Sequence, residues 1–278
     1  MTPFGPSMPA YSELATGVRR LVAPNPSMMT GPGTNTYLFG DNEVAVLDPG
    51  PIIESHIDAI QNAAGGKIKW ILVTHTHPDH SPAALELARA TGARLLGRPA
   101  GAGAHQDTTF VPDRVLNDGD RLNVDGVEIE VIHTPGHASN HICFRQMAQN
   151  WIFTGDHVID GSTVVIDPPD GSMSDYLNSL ARLKTFAPVA LAPGHGELIN
   201  DPNRIIDWII EHRLERERKV AIALYANPGL TTMELVPHVY VDVDKKLYGW
   251  AERSLLAHLI KLQQDNRAVR CGETWRGI

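Results

Sequence analysis

The sequence predicts an α/β protein in which two β-sheets pack together with helices outside, followed by a small helical domain. The predicted strands fall into two halves of the chain, each with its own helices, which is typical of layered sheets covered by helices. After Pro202 the pattern changes to long helical segments. Four of the predicted strands end in short loops that carry His or Asp. We therefore expect one domain over residues 1–200 and a second over 201–278.

The first half of the chain alternates extended and helical segments. Strands are predicted over 18–22, 35–39 and 44–47, with a hairpin turn at Gly40-Asp41-Asn42 between the last two. A helix over 53–64 ends at Gly65-Gly66, and a strand over 68–73 follows. The next helix, over 81–91, has Pro82 in its first turn and Gly92 after its end.

The middle of the chain is rich in strands. They are predicted over 94–96, 121–124, 127–134, 141–145, 150–154 and 189–192. Ser172-Met173-Ser174-Asp175 is a candidate capping box for a helix that runs to residue 186. This half predicts a second sheet with its own helix.

The C-terminal part has the elements of a winged helix-turn-helix. Helices are predicted over 203–226, 231–240 and 245–266, and 268–278 with Gly272 at its centre predicts a hairpin. The first of these helices carries four basic residues that alternate with glutamates at helical spacing, which predicts a solvated helix: Arg213, Arg216, Arg218 and Lys219. We expect this small domain to pack against the first domain or to mediate homodimer formation.

A cluster of metal-ligand side chains follows the predicted strand over 68–73. His75, His77, Asp79 and His80 stand within six residues. If buried singly, each would need its own hydrogen-bond partner, whereas one divalent metal satisfies several at once. Cys143 and Cys271 are far apart and without a partner motif, so any metal is expected to be held by nitrogen and oxygen.

Three later loops repeat this pattern. His137, Asp156 and His195 each follow a predicted strand in a turn that contains Gly or Pro, which stops the strand and lets the backbone come close to the site. Five imidazoles and two carboxylates are too many for one tetrahedral zinc but suit two metals. His75, His77 and His137 are predicted to hold one ion. Asp79, His80 and His195 are predicted to hold the other, with Asp156 bridging.

These motifs resemble the metallo-β-lactamase superfamily. Its signature His-x-His-x-Asp-His is met by residues 75–80, the later motifs fall in its order, and the resemblance covers residues 17–200. It implies a four-layer αββα sandwich with two Zn²⁺ at one edge, Fe or Mn being alternatives. It also implies that Asp48 supports the site by hydrogen bonding to neighbouring groups. Residues 33–38 and the C-terminal helices resemble the branch of β-lactamase-like protein 2, whose animal members cleave single-stranded RNA.

The predicted function is hydrolysis by a metal-bridging hydroxide, formed because two zinc ions lower the pKa of water. Single-stranded RNA is the substrate that the branch implies, but the net charge of −8 and the lack of a Lys/Arg cluster near the ligands weigh against it. The alternative is a small-molecule thioester or ester hydrolase of the glyoxalase II type. A metal-sensing DNA-binding regulator is disfavoured because residues 231–240 lack Lys and Arg. A mononuclear iron sulfur dioxygenase shares the first motif and stays open.

Further residues near the motifs have two interpretations each. His141 is a candidate catalytic acid or orients a ligand, Tyr176 reaches the substrate or packs in its helix, and Asp79 is a catalytic candidate besides being a ligand. His157 is expected to pack beside the site. No apolar run approaches the length of a membrane span, and the Pro-rich residues 1–11 do not resemble a secretory signal. We therefore expect a cytoplasmic protein without membrane contact.

Overall fold

Seven strands form the first sheet, and their order across the sheet, from one edge to the other, is their order in the sequence. The computed structural model describes residues 11–103 and 105–278, and most of the N-terminal segment discussed above lies outside this part. The strands are β1 (Tyr11–Ala15), β2 (Val18–Val22), β3 (Asn35–Phe39), β4 (Val44–Leu47), β5 (Ile68–Leu72), β6 (Arg94–Gly97) and β7 (Arg114–Val115). Neighbours from β1 to β4 are antiparallel, and those from β4 to β7 are parallel. The edge strands β1 and β7 were not predicted, because short exposed strands carry little hydrophobic pattern.

Two helices cover the outer face of this sheet. They are α1 (Glu54–Ala64) and α2 (Ala83–Thr91). Gly65 and Gly92 end them in the left-handed conformation at φ 58° and 75°, which glycine adopts without steric cost. Ile60 and Leu87 are fully buried against Val46 and Ile71 of the sheet. The predicted helix ends at Gly65 and Gly92 are therefore confirmed.

Five strands form the second sheet. They are β8 (Arg121–Val124), β9 (Val127–His133), β10 (Ile142–Gln146), β11 (Trp151–Gly155) and β12 (Ala190–Pro193), in the order β12-β11-β10-β9-β8. Helix α3 (Met173–Thr185) joins β11 to β12 and makes that pair parallel. Ser172 caps α3 by accepting a hydrogen bond from Asp175 N at 3.3 Å. Its own N–H donates to Gly136 O at 2.8 Å, so the predicted capping box is only half formed.

The layers are held by three separate apolar cores. Between the sheets, Tyr37 and Phe39 meet Phe153 edge to face, with ring centroids 4.8 Å apart. One outer core lies under α1 and α2, and the other joins α3 to the second sheet through Leu180 and Ile152. The predicted αββα sandwich is confirmed.

The C-terminal part is a winged helix with its own core. It comprises α4 (Pro202–Ala226), β13 (Leu230–Thr231), α5 (Thr232–Val239), α6 (Tyr248–Gln264), β14 (Ala268–Cys271) and β15 (Thr274–Gly277), with a 3₁₀ turn over Lys245–Leu247. The three short strands form the wing. Thr231 and Glu234 complete a reciprocal capping box at the start of α5. Trp275 of the wing is buried in the core together with Leu235 and Leu255.

Helix α4 belongs to both cores. Ile206 packs with the second sheet, whereas Leu224 packs in the winged helix. The predicted solvated face is wrong for Arg213 and Arg216, which are only 4% and 9% exposed. Charge alternation does not show which side of a helix will be covered by another element. The boundary at residue 200 stays a prediction. Within the described residues, no helix combines the length and apolarity needed to span a membrane.

Candidate metal centre

Four loops meet at one edge of the sandwich, each after a strand. They follow β5, β9, β11 and β12 and carry the seven predicted ligands His75, His77, Asp79, His80, His137, Asp156 and His195. Ile142 N donates to Thr74 O at 2.8 Å, which joins the two sheets directly beside the first loop. The fold thus brings together residues that are far apart in the sequence. Their role as ligands stays a prediction.

Three imidazoles form the first group. His75 Nε2 and His137 Nε2 lie 3.0 and 2.9 Å from His77 Nδ1. One ligand atom from each residue lies within 4.8 Å of the others. The arrangement offers three nitrogen donors to a single ion.

The second group combines two imidazoles with two carboxylates. His195 Nε2 lies 3.2 Å from both Asp79 Oδ2 and Asp156 Oδ1, and His80 Nε2 also lies 3.2 Å from Asp156 Oδ1. The other oxygen of Asp156, Oδ2, is 3.7 Å from His137 Nε2. The carboxylate of Asp156 therefore lies between the two groups, in the position predicted for a bridging residue.

The far nitrogen of four of these imidazoles is hydrogen-bonded away from the centre. Nδ1 of His137 and of His195 donates to the carbonyl oxygens of Val165 and Gly33 at 2.8 and 3.1 Å. Nδ1 of His80 donates to Asp48 Oδ2 at 3.0 Å, and Nδ1 of His75 donates to Thr74 Oγ1 at 3.0 Å. In its neutral form each of these rings presents an Nε2 lone pair to the centre, as a metal ligand must.

The donor set fits divalent metals. Three buried atoms, His80 Nε2, His195 Nε2 and Asp156 Oδ1, have no hydrogen-bond partner among the described residues. Bond lengths of about 2.0 Å to a tetrahedral zinc place its ligands about 3.3 Å apart. The separations between the nitrogen and oxygen atoms of the candidate ligands, 2.9 to 3.7 Å, lie on both sides of that value. A cation among these atoms would satisfy all of them.

Burial lowers the pKa of two of these imidazoles, whereas a neighbouring carboxylate raises the pKa of two others. Burial lowers the pKa of His75 well below its usual value and that of His77 to about 3. Burial also disfavours the charged form of His195 and His80, but Asp156 outweighs it. The pKa of His195 rises to about 10 and that of His80 well above its usual value. The two carboxylates of the second group therefore create a negative potential that favours a cation there, whether protons on the imidazoles or a metal ion.

Asp48 supports the first loop and the second group together. It is 2% exposed, and its Oδ1 accepts from Thr74 N at 2.7 Å. Its Oδ2 accepts from Thr74 Oγ1 at 2.8 Å and from His80 Nδ1 at 3.0 Å. Asp48 therefore holds both the backbone that carries the motif and one ligand ring, as predicted from the resemblance.

The backbone of Asp48 is held in turn by Thr36 and His56. Thr36 Oγ1 donates to Asp48 O at 2.7 Å, so it accepts from His56 Nε2 at 2.9 Å. Burial lowers the pKa of His56 from 6.5 to about 4. Above pH 6.5 the ring is neutral in both states, and below it the unfolded chain takes up the proton first. The stability contribution is therefore lost as the pH falls from 6.5 to 4.

Unfolding measurements across this pH range test the titration. Between pH 7 and pH 4 the wild type is expected to lose about 3 kcal/mol more unfolding free energy than His56→Gln, which does not titrate. Urea denaturation of both proteins after chelation gives the difference free of metal effects. Parallel pH profiles of the two proteins would contradict the assignment.

Side chains of the segment 33–38 hold the loop that carries His195 in place by hydrogen bonds. Asn35 Nδ2 donates to Pro193 O and Gly196 O at 2.9 Å, and Tyr37 Oη donates to Pro193 O at 2.8 Å. A strand of the first sheet thus fixes the last ligand loop of the second. This is a physical role for the motif on which the branch resemblance rested.

His141 and Tyr176, predicted as catalytic candidates, lie behind the ligands rather than on the open side. Both are fully buried. His141 Nδ1 is 2.9 Å from Thr134 Oγ1, and its ring centroid is 5.0 Å from that of His75. Tyr176 Oη donates to His157 O at 2.9 Å. The geometry supports orientation and packing for both side chains, and it gives no support to contact with substrate.

A cavity of about 740 Å³ opens on the ligands. His77, Asp79, His137, Asp156 and His195 line its floor. Its walls include Met28, Met29, Pro32, Ile159, Val164, Val165, Pro168 and Pro169, and also Trp250 and Arg253 of α6. No motif marked these wall residues, and the place of Trp250 and Arg253 depends on how the winged helix packs on the first domain.

A two-sheet αββα sandwich with these donors at its edge defines a class of hydrolases that hold divalent metals. The chain belongs to the metallo-beta-lactamase superfamily, whose family model matches residues 29–195. The beta-lactamase associated winged helix domain matches residues 231–275. The resemblance seen in the motifs is therefore confirmed, and the chain is a hydrolase with a candidate site for divalent metal.

Similar proteins carry several names. A beta-lactamase-like protein 2 homolog from Drosophila melanogaster is 28% identical over 94% of this chain and 92% of its own length. An atrochrysone carboxyl ACP thioesterase from Aspergillus fumigatus is 28% identical over 96% of this chain and 89% of its own. The crystal structure of a beta-lactamase domain protein from Burkholderia ambifaria superimposes with a TM-score of 0.84, at 24% identity, over 99% of this chain and 96% of that one. The last likeness concerns the fold alone.

Proposed function

We propose that this protein is a dinuclear zinc hydrolase that cleaves thioesters of apolar acyl groups. The observation that carries the proposal is the cavity above the ligands, whose walls are largely apolar and carry more acidic than basic side chains. Five aspartates line it, namely Asp79, Asp156, Asp160, Asp167 and Asp170. An uncharged acyl group suits such walls better than a polyanion does. The name of the similar thioesterase points to the same bond.

Each of the two ligand groups would hold one metal ion. His75, His77 and His137 would hold one zinc, and Asp79, His80 and His195 the other, with Asp156 between them. When bound, the two ions supply a water of lowered pKa and polarise the substrate carbonyl. The hydrogen bonds on the far side of the imidazoles keep the rings in place during this chemistry.

Asp79 is the carboxylate on the cavity floor that we propose accepts and then donates a proton. It lines the cavity, and its Oδ2 lies 3.2 Å from His195 Nε2. We propose that it orients the attacking water and takes its proton as the C–O bond forms. When the C–S bond breaks, the proton passes to the leaving thiolate, which departs as the thiol.

RNA is the competing substrate. It needs basic side chains that follow the phosphates. Within the described residues, Arg253 is the one Lys or Arg on the cavity wall, and it lies 3.0 Å from Asp167 Oδ2. The charge on the walls therefore favours the thioester over RNA.

A substrate panel tests the proposal. Zinc-loaded protein is expected to hydrolyse acyl thioesters of N-acetylcysteamine and to leave single-stranded RNA, a phosphodiester and a lactone largely intact. His77→Ala removes a ligand donor and is expected to lower thioester turnover at least about 100-fold, beyond the loss typical of supporting residues. Cleavage of RNA alone would replace the proposed substrate. Turnover unaffected by His77→Ala would overturn the site itself.

The metal content tests the dinuclear part separately. Mass spectrometry of the purified protein is expected to find two zinc ions per chain. One iron per chain would favour the sulfur dioxygenase instead.

A further inference from the structure

The winged helix contributes a wall to the cavity above the metal ligands. Trp250 and Arg253, one turn apart on α6, line the same cavity as Asp79 and His195. Trp250 is 45% exposed although it stands in the first turn of a packed helix. An exposed indole inside a cavity offers apolar contact area to a ligand.

Arg253 fixes the helix in this position. Its Nη1 donates to Asp167 Oδ2 at 3.0 Å and to His105 Nε2 at 3.1 Å. At the other end of α6, Ser174 Oγ donates to Gln264 Oε1 at 2.7 Å. The register of α6 against the first domain is thus set at two points.

The positive charge of Arg253 is balanced by the same contacts within the protein. Its guanidinium is paired with Asp167, and it lies 5.0 Å from the centroid of the Trp250 ring. A cation beside the ring holds the indole in place. Arg253 is therefore a positioning residue for Trp250, and its pairing with Asp167 leaves it poorly suited to bind a carboxylate or phosphate.

A methionine-bearing loop supplies further apolar surface to the cavity. Met28 and Met29 are 78% and 49% exposed. Ser27 Oγ accepts from Met29 N and Thr30 N at 3.1 and 3.0 Å, so hydrogen bonds hold the backbone of this loop in a turn. Thioether side chains adapt to varied apolar shapes and make favourable contacts with aromatic rings.

We propose that Trp250 is a specificity-determining residue that recognises an extended apolar acyl group whose reactive carbonyl lies at the metal ligands. The inference rests on the proposed thioesterase function and deepens it. Because Trp250 stands on the wall of a cavity whose floor carries the ligands, we expect an acyl chain longer than acetyl to be needed to reach the indole. Trp250 then adds to binding of long substrates and leaves the chemistry at the ligands unchanged.

Kinetics with two matched probes test this role. The octanoyl and acetyl thioesters of N-acetylcysteamine differ only in the acyl chain. Trp250→Ala is expected to raise KM for the octanoyl probe about 10-fold, which corresponds to about 1.4 kcal/mol, with kcat changed less than about twofold. KM and kcat for the acetyl probe are expected to stay as in the wild type. Trp250→Phe is expected to bring KM for the octanoyl probe most of the way back to the wild-type value.

Trp208→Ala is the matched control. Trp208 is 44% exposed on α4 and stacks on His212, outside the cavity walls. It removes an equally exposed indole and is expected to leave KM for both probes unchanged. Equal effects of Trp250→Ala on both probes, or equal effects of the two tryptophan variants, would overturn the proposal.

A binding measurement separates this inference from the function on which it rests. The ketone analogue of the octanoyl probe, with CH₂ in place of sulfur, cannot be hydrolysed. Calorimetry is expected to show about 10-fold weaker binding to Trp250→Ala than to the wild type. If neither thioester is hydrolysed but the ketone still depends on Trp250, the proposed reaction fails and the apolar subsite stands. If the ketone binds both proteins equally, the subsite fails.

Discussion

Asp156→Asn is expected to abolish most hydrolysis and to reduce bound metal below two ions per chain. Asp156 is the residue whose two oxygens reach both ligand groups, at 3.2 Å from His80 and His195 and 3.7 Å from His137. An amide has one neutral oxygen and no anionic one, so the two metal ions proposed for this site would lose their shared carboxylate ligand. We expect kcat to fall at least about 100-fold, beyond the effect typical of a supporting residue. Steady-state kinetics and metal analysis on the same preparations measure both.

Asp58→Asn makes the same chemical change at an exposed position on α1 and serves as the control. It is expected to keep both the activity and the metal content of the wild type. Full metal content in Asp156→Asn together with lost activity would assign Asp156 to catalysis rather than to metal binding. Wild-type values for both quantities would contradict its place in the site.

Asp48→Ala is expected to destabilise the protein more than any other single change in the support of the site. The buried carboxylate accepts hydrogen bonds from Thr74 N, Thr74 Oγ1 and His80 Nδ1, and its removal leaves these donors without an acceptor. We expect a loss of about 3 to 5 kcal/mol in unfolding free energy. Metal affinity is expected to weaken about 10- to 100-fold, because His80 is no longer held in place.

Asp125→Ala is the matched control for this change. Asp125 and Asp48 have nearly the same left-handed backbone, at φ 49° and 51°, so alanine brings the same strain to both. Asp125 also accepts three hydrogen bonds, from Asp41 N, Asn42 N and Asn42 Nδ2, but it is exposed. Water can replace the lost acceptor there, so a much smaller loss is expected. Urea denaturation of the chelated proteins compares the two, and equal losses would show that strain alone matters at Asp48.

Much of the fold followed from local pattern. The predicted strands over 35–39 and 44–47 agree with the structure because the second is a continuous apolar run and the Gly40-Asp41-Asn42 turn joins the two. Gly65 and Gly92 marked helix ends through the conformation that glycine permits. The short edge strands β1 and β7 were missed, because an edge with little burial has no such pattern.

The candidate site divides in the same way. The ligand types and their loops were visible in the sequence, because four strands end in His or Asp beside Gly or Pro. The burial of His141 and Tyr176 was not visible, since it depends on which elements cover those side chains. The same holds for Arg213 and Arg216, whose charged neighbours suggested a solvated face.

The sequence by itself determined the superfamily, the two-sheet architecture and the seven ligand candidates, because these are written in residue type and in spacing along one strand or loop. Only the tertiary structure decided the distances from Asp156 to His80 and His137 and the hydrogen bond by which Asp48 holds His80. It also decided that Trp250 lines the cavity. These relations join residues far apart in the chain, and the packing of two sheets and a winged helix sets the distances between them.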